Sequence, residues 1–180
     1  VKPAFDFDFS PILPNLLQML AMWKAALAPS RALVSAPISR RAFGTYTIKS
    51  KGSGMKMTGM ADGKHPVATD EPTALGGTDT AANPLQTVLG ALSGCEQAAS
   101  FFVAKKMKLP IGDIDYEVVG EVDINVKKSC FKKVTVTAKV SGDVEDKKIQ
   151  QLLAGVHRMC PLYNLFKDAG VEIESKWEKA

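Results

Sequence analysis

Polar and apolar positions alternate in two short runs across residues 44–60, GTYTIKSKGSGMKMTGM, on either side of Lys51-Gly52-Ser53-Gly54. Alternation predicts strands, and the glycine-bearing centre predicts the turn of a hairpin. Asp62-Gly63 marks a second turn, and His65–Asp70 reads as a third strand. Residues 71–82, EPTALGGTDTAA, are turn-rich and read as loop. Asn83-Pro84-Leu85-Gln86 then starts a helix. Asn caps it, Pro takes the first helical position, and Gln at the third can reach back to the cap. The helix runs to about Lys108 and stops before Pro110. From Leu85 to Ala104 it is apolar almost all round, which predicts a central, buried helix.

Ile114–Ile124 and Phe131–Val140 read as strands. In the second, Val134, Val136, Ala138 and Val140 alternate with Lys133, Thr135, Thr137 and Lys139, so one face is wet. Val144–Met159 is an amphipathic helix with Ile149, Leu152, Leu153 and Val156 on one face. Pro161 interrupts it, a short helix to Asp168 ends at Gly170, and Val171–Trp177 is a last strand. Three strands, a helix, two strands, two helices and a strand make an α+β pattern. It predicts mostly antiparallel sheet with two long central helices.

Composition adds an appendage to this body. The chain has 180 residues, 46% of them hydrophobic, which suits one domain with an extension. From Phe9 to Ala61 there is no acidic residue. Met22 to Phe43, MWKAALAPSRALVSAPISRRAF, is rich in Ala and Ser and carries Lys24, Arg31, Arg40 and Arg41. That composition predicts an organelle transit peptide over residues 1–43, cut near Phe43–Gly44, with the domain at 44–180 and a mitochondrial matrix location. The alternatives are an ordinary leader on a cytoplasmic protein, or a secretory signal with Leu16–Leu27 as its core. Residues 1–43 hold five bases and two acids; the rest holds 18 bases and 17 acids. A nearly neutral body is a poor nucleic-acid binder. The most apolar stretch, Ile12–Pro29, is broken by Pro14, Asn15, Gln18 and Lys24, which argues against membrane insertion.

The three cysteines do not make a disulfide scaffold. Cys95 is mid-helix, on a face with Val88, Leu92, Ala98, Ala99 and Phe102. An apolar wall without a cation raises a thiol pKa, so the residue alone reads as a buried, inert cysteine. Cys160 ends one helix where Pro161 opens the next, and the positive end of that next helix favours thiolate. A structural core cysteine is the competing reading. Cys130 falls in the polar turn Asn125–Lys133 and reads as an incidental surface thiol. With neither CxxC nor HExxH, and with His157 alone beside Cys160, no metal or cofactor is expected.

As a whole the pattern resembles a known family. Asn83-Pro84-Leu85-Gln86-Thr87-Val88-Leu89-Gly90-Ala91-Leu92-Ser93-Gly94-Cys95 resembles the signature helix of the OsmC/Ohr family, the osmotically inducible and organic hydroperoxide resistance proteins. Cys160-Pro161-Leu162 resembles its second motif, Cys-Pro-Val. The resemblance covers roughly residues 44–177 and implies an entwined homodimer with active sites at the subunit interface. It implies a peroxidatic thiol at Cys95 and a resolving thiol at Cys160, organic hydroperoxides as substrates, and a dihydrolipoyl-type thiol reductant. Leu92, Phe102 and Leu162 are candidate pocket residues.

The chain also departs from the family. A glutamate and an arginine usually hold the first thiolate. Here Gln86 stands at the glutamate position, Arg158 is the one arginine from Gly44 onward, and the hairpin offers Lys51 and Lys56 instead. Gln86, Lys56 and Arg158 are therefore the candidates for activating or positioning Cys95. Glu96 disfavours the thiolate if its carboxylate points that way. The alternative function is a catalytically weak or inactive dimer of the same fold that binds an apolar small molecule.

Overall fold

The computed structural model describes residues 44–124 and 127–180. The leader expected at 1–43 lies outside the described residues, and one unit spans Tyr46–Ala180. β1 (Ile48–Ser53), β2 (Lys56–Ala61) and β3 (His65–Thr69) form an antiparallel sheet in chain order. Gly54 turns the first hairpin at φ 59°. Asp62 and Gly63 turn the second with φ of 51° and 68°, the backbone sign that suits short Asp and side-chain-free Gly.

A loop containing the 3-10 turn Thr73–Leu75 leads into α1 (Pro84–Met107). The capping box forms as the sequence predicts: Gln86 N–H donates to Asn83 Oδ1 at 2.8 Å, and Asn83 N–H donates to Gln86 Oε1 at 2.9 Å. Two long strands follow, β4 (Ile111–Asp123) and β5 (Cys130–Gly142), paired antiparallel. The chain then makes α2 (Asp146–Met159) and α3 (Pro161–Asp168) and returns as β6 (Glu172–Lys179). Because two helices fill that connection, β6 pairs parallel to β5, the one parallel pair among the described residues.

Among the described residues, α1, α2 and α3 share one core with the inner face of the second sheet. Val134, Val136, Ala138 and Val140 of β5 and Trp177 of β6 point into it, with Leu92, Val103, Ile149, Leu152 and Val156 of the helices opposite. The outward positions of β5 stay half-exposed or exposed, as the alternation predicts. The structure corrects one expectation. α1 is not buried all round in the single chain. Leu92, Glu96, Ala99, Ser100, Val103 and Ala104 are covered, but Leu85, Val88, Phe101 and Phe102 are exposed. One sheet with two shorter helices covers only one side of a 24-residue rod. Among the described residues, no helix is long and apolar enough to cross a membrane.

Candidate active site

Cys95 lies at the border of the buried stripe of α1, half-exposed, and Cys160 sits at the α2–α3 junction with no exposed surface. Pro161 breaks the helical run, so Cys160 closes α2 and caps α3 at once. The fold brings these two residues, 65 apart in sequence, to 3.0 Å between sulfurs, with the Cys160 thiol donating to Cys95. Both are free thiols. The Tyr163 N–H donates to Cys160 Sγ at 3.4 Å.

That amide and the helix end favour thiolate at Cys160, but they do not prevail. Burial, followed by the hydrogen bond to Cys95, pushes the Cys160 thiol up. Desolvation of an anion outweighs the backbone N–H groups of Tyr163 and Leu162, which oppose it. Cys160 therefore holds its proton and presents it to Cys95. The expectation of a thiolate at Cys160 is corrected on this ground.

Next to Cys95 in the chain is a group that the family motifs do not single out. Glu96 has no exposed surface, and neither carboxylate oxygen has a hydrogen-bond partner. Burial raises its pKa to about 7. It shares its stripe with Ser100, whose hydroxyl donates to the Glu96 carbonyl at 2.7 Å and lies 3.3 Å from the Tyr116 hydroxyl. The Tyr116 phenol is pushed up to about 12, first by burial, and the charges of Glu96 and Cys160 both add to the shift. Tyr163 is shifted up by burial and by Glu96. The sequence carries a signal for this group: Glu96 is the only acid between Asp79 and Asp113.

The activating candidates have other partners or positions. Gln86 holds the cap of α1, nine residues before Cys95 on the same helix. Lys56 Nζ donates to Thr80 Oγ1 at 2.8 Å. Thr80 in turn donates through its hydroxyl and its N–H to Asp70 Oδ2, at 2.9 and 3.2 Å. Thr78 also bonds Asp70, and its hydroxyl is the main cause holding that carboxyl far below its usual range. The cluster ties the loop before α1 to the first sheet. Arg158 is exposed on α2.

The pocket candidates divide. Leu92 is fully buried and forms core, and Leu162 packs partly buried against that core. Phe102 is exposed and lines an apolar groove of about 460 Å³ with Ala98, Phe101, Leu109 and Ile111. Neither cysteine lines that groove.

The family model described as OsmC-like protein matches residues 77–176, more than half of the chain. The chain belongs to the OsmC-like family. No curated protein matches it in sequence. Among solved structures, it is similar to an OsmC-like protein of Mycoplasma pneumoniae, at 18% identity and a TM-score of 0.69, covering 76% of this chain and 98% of that one. An organic hydroperoxide resistance protein OsmC of Legionella pneumophila is 23% identical, with a TM-score of 0.64 over 77% and 99%. One from Elizabethkingia anophelis is 22% identical, with a TM-score of 0.65 over 78% and 99%. At these identities the likeness is one of fold, and it reaches nearly the whole of each OsmC-like relative.

Proposed function

We propose that this OsmC-like protein is a thiol peroxidase that reduces organic hydroperoxides. The supporting observation is the 3.0 Å approach of a half-exposed Cys95 to a buried, proton-bearing Cys160. Cys95 thiolate attacks the terminal peroxide oxygen. The O–O bond breaks, the alkoxide takes a proton and leaves as alcohol, and Cys95 becomes a sulfenic acid. Cys160 Sγ then attacks Cys95 Sγ, a disulfide forms, and the sulfenic oxygen leaves as water. A dithiol of the dihydrolipoyl type reduces that disulfide by exchange and is itself oxidised to its disulfide.

The working unit in this reading is a homodimer. Leu85, Val88, Phe101 and Phe102 of α1, and Tyr46 and Ile48 at the start of the first sheet, are exposed apolar side chains that a second copy would cover. The basic leader, acid-free from Phe9 onward, supports import into a mitochondrial matrix, which would supply lipoyl dithiols.

The test is a titration of free thiols before and after one equivalent of an alkyl hydroperoxide. Loss of two thiols per chain, reversed by a dithiol, is the expected result. Unchanged thiols would favour the second reading, a non-catalytic dimer that binds an apolar small molecule. The apolar groove at Phe102 is the observation on its side.

A further inference from the structure

α2 and α3 meet at a single residue outside both helices, Cys160, with φ −80° and ψ 111°. Backbone hydrogen bonds reach this corner from either side and stop there. The Cys160 N–H donates back to the Val156 carbonyl at 2.8 Å, and the Cys160 carbonyl accepts from the Asn164 N–H at 3.2 Å. Pro161 has no N–H to carry the ladder through. The angle between the two helices therefore turns on the dihedrals of Cys160, the residue whose sulfur lies against Cys95.

Two side chains bridge the corner. His157 stands on the last turn of α2 and Tyr163 on the first turn of α3. Their rings stack with centroids 3.8 Å apart and planes 8° from parallel. His157 Nε2 lies 3.1 Å from Ser175 Oγ, which fastens the stack to β6. On the other side, Tyr163 is buried, and its N–H is the one that donates to Cys160 Sγ at 3.4 Å. Burial, then the charge of Lys167, keeps the imidazole below its ordinary pKa, so the ring is neutral at neutral pH. Aliphatic side chains could fill the same space. Parallel rings do more, because their contact survives only a narrow range of corner angles.

The sulfurs are in contact without a bond at 3.0 Å, so disulfide formation needs a further approach of about 1 Å. A corner held at one angle delivers that approach readily, whereas a loose corner must first be ordered. We propose that the His157–Tyr163 stack is the clamp of the resolving thiol: it fixes the angle between α2 and α3 and so holds Cys160 Sγ against Cys95. The stack thereby sets how readily the pair closes to a disulfide and reopens. His157 and Tyr163 act through the corner and are positioning residues. The proposal rests on the pairing of the two thiols in the activity proposed above.

The test omits hydroperoxide and reads the reduction potential of the pair. A Cys130→Ser chain is equilibrated at neutral pH in glutathione buffers of graded ratio. One glutathione disulfide takes two electrons and two protons from the pair and leaves as two glutathione thiols, while Cys95 and Cys160 become a disulfide. Alkylation of the remaining thiols and mass spectrometry give the oxidised fraction. Tyr163→Leu should lower the disulfide-forming constant about tenfold, which makes the potential less negative by about 30 mV. His157→Leu should shift it likewise, and it serves alone should Tyr163→Leu not fold. Tyr163→Phe keeps the ring and should keep the wild-type potential. The double replacement by Leu should shift no further than either single one, because both remove one contact. Wild-type potentials in the Leu variants overturn the proposal, even where their denaturant midpoints fall, since the stack is then packing only. A Tyr163→Phe shift as large as that of Tyr163→Leu overturns it too, as do additive shifts in the double variant. A pair whose potential follows the clamp in a protein that consumes no alkyl hydroperoxide would refute the activity and leave this role standing.

Discussion

Cys160 and Glu96 are two acids pushed the same way by the same cause. Each is buried, and burial favours the uncharged form of each. For Glu96 the folded-state value of about 7 lies above the unfolded value of 4.5. The folded state thus binds the proton more tightly. Its contribution to stability is complete below 4.5 and is lost as pH rises through about 7. The amount is on the order of 3 kcal/mol. Urea unfolding at about pH 5 and about pH 8 should show the wild type losing stability with rising pH, and Glu96→Gln should flatten the loss. An equal slope in the variant would place the titration elsewhere. For the thiols, Cys95→Ser should abolish hydroperoxide consumption. Cys160→Ser should give one turnover that ends in a trapped sulfenic acid or mixed disulfide, read by mass spectrometry. Cys130→Ser should change little, because that residue opens β5 away from both motifs. Full turnover by Cys95→Ser would sink the assignment.

The helices are positioned by contacts that leave little room. Gly155 of α2 faces Val103 of α1, and a Cβ built there would lie 2.6 Å from Val103 Cγ1. Val is stiff at χ1, so it yields poorly. Gly155→Ala gains up to about 1 kcal/mol of helix propensity but overpacks the crossing by roughly 1–3 kcal/mol. The net expectation is a loss of about 1 kcal/mol, read as a lower denaturant midpoint with an unchanged slope. A gain in stability would mean that the two helices can separate freely. The two helices that cross here are also the ones that carry Cys95 and end at Cys160. A slower disulfide closure should therefore accompany the lost stability. The start of α1 is held independently by Asn83, whose replacement by Ala should cost about 1 kcal/mol.

For the molecule as a whole, energetics decides what becomes of the uncovered side of α1. Phe101 and Phe102 are exposed together, 46% and 62%, beside an apolar groove. Several large apolar side chains on one face favour association, at roughly 25 cal/mol per Å² of apolar surface removed from water. Sedimentation of the body at micromolar concentration should show a dimer, and Phe101→Asp with Phe102→Asp should shift it toward monomer. A stable folded wild-type monomer would contradict the dimer reading.

Local pattern was enough for most of the elements. The capping box at Asn83, the break at Pro161 and the alternation of β5 each depend on neighbours within a few residues, and each formed as read. The two cysteine motifs were legible for the same reason, since each is a short run in a defined local setting. Other features depend on what lies across the fold. The parallel pairing of β6 follows from where two helices return the chain, which periodicity does not encode. α1 reads as buried because its composition is apolar, yet burial is a property of what covers a face, and one chain covers only part of it. The Asp70 cluster joins residues spread from Lys56 to Thr80 through threonine hydroxyls that look like ordinary loop. The protonation of Cys160 was a contest between a helix end, visible in sequence, and desolvation, which exists only once the core has closed around the sulfur. Desolvation prevails because removing an anion from water costs more than the N–H groups at the helix end return.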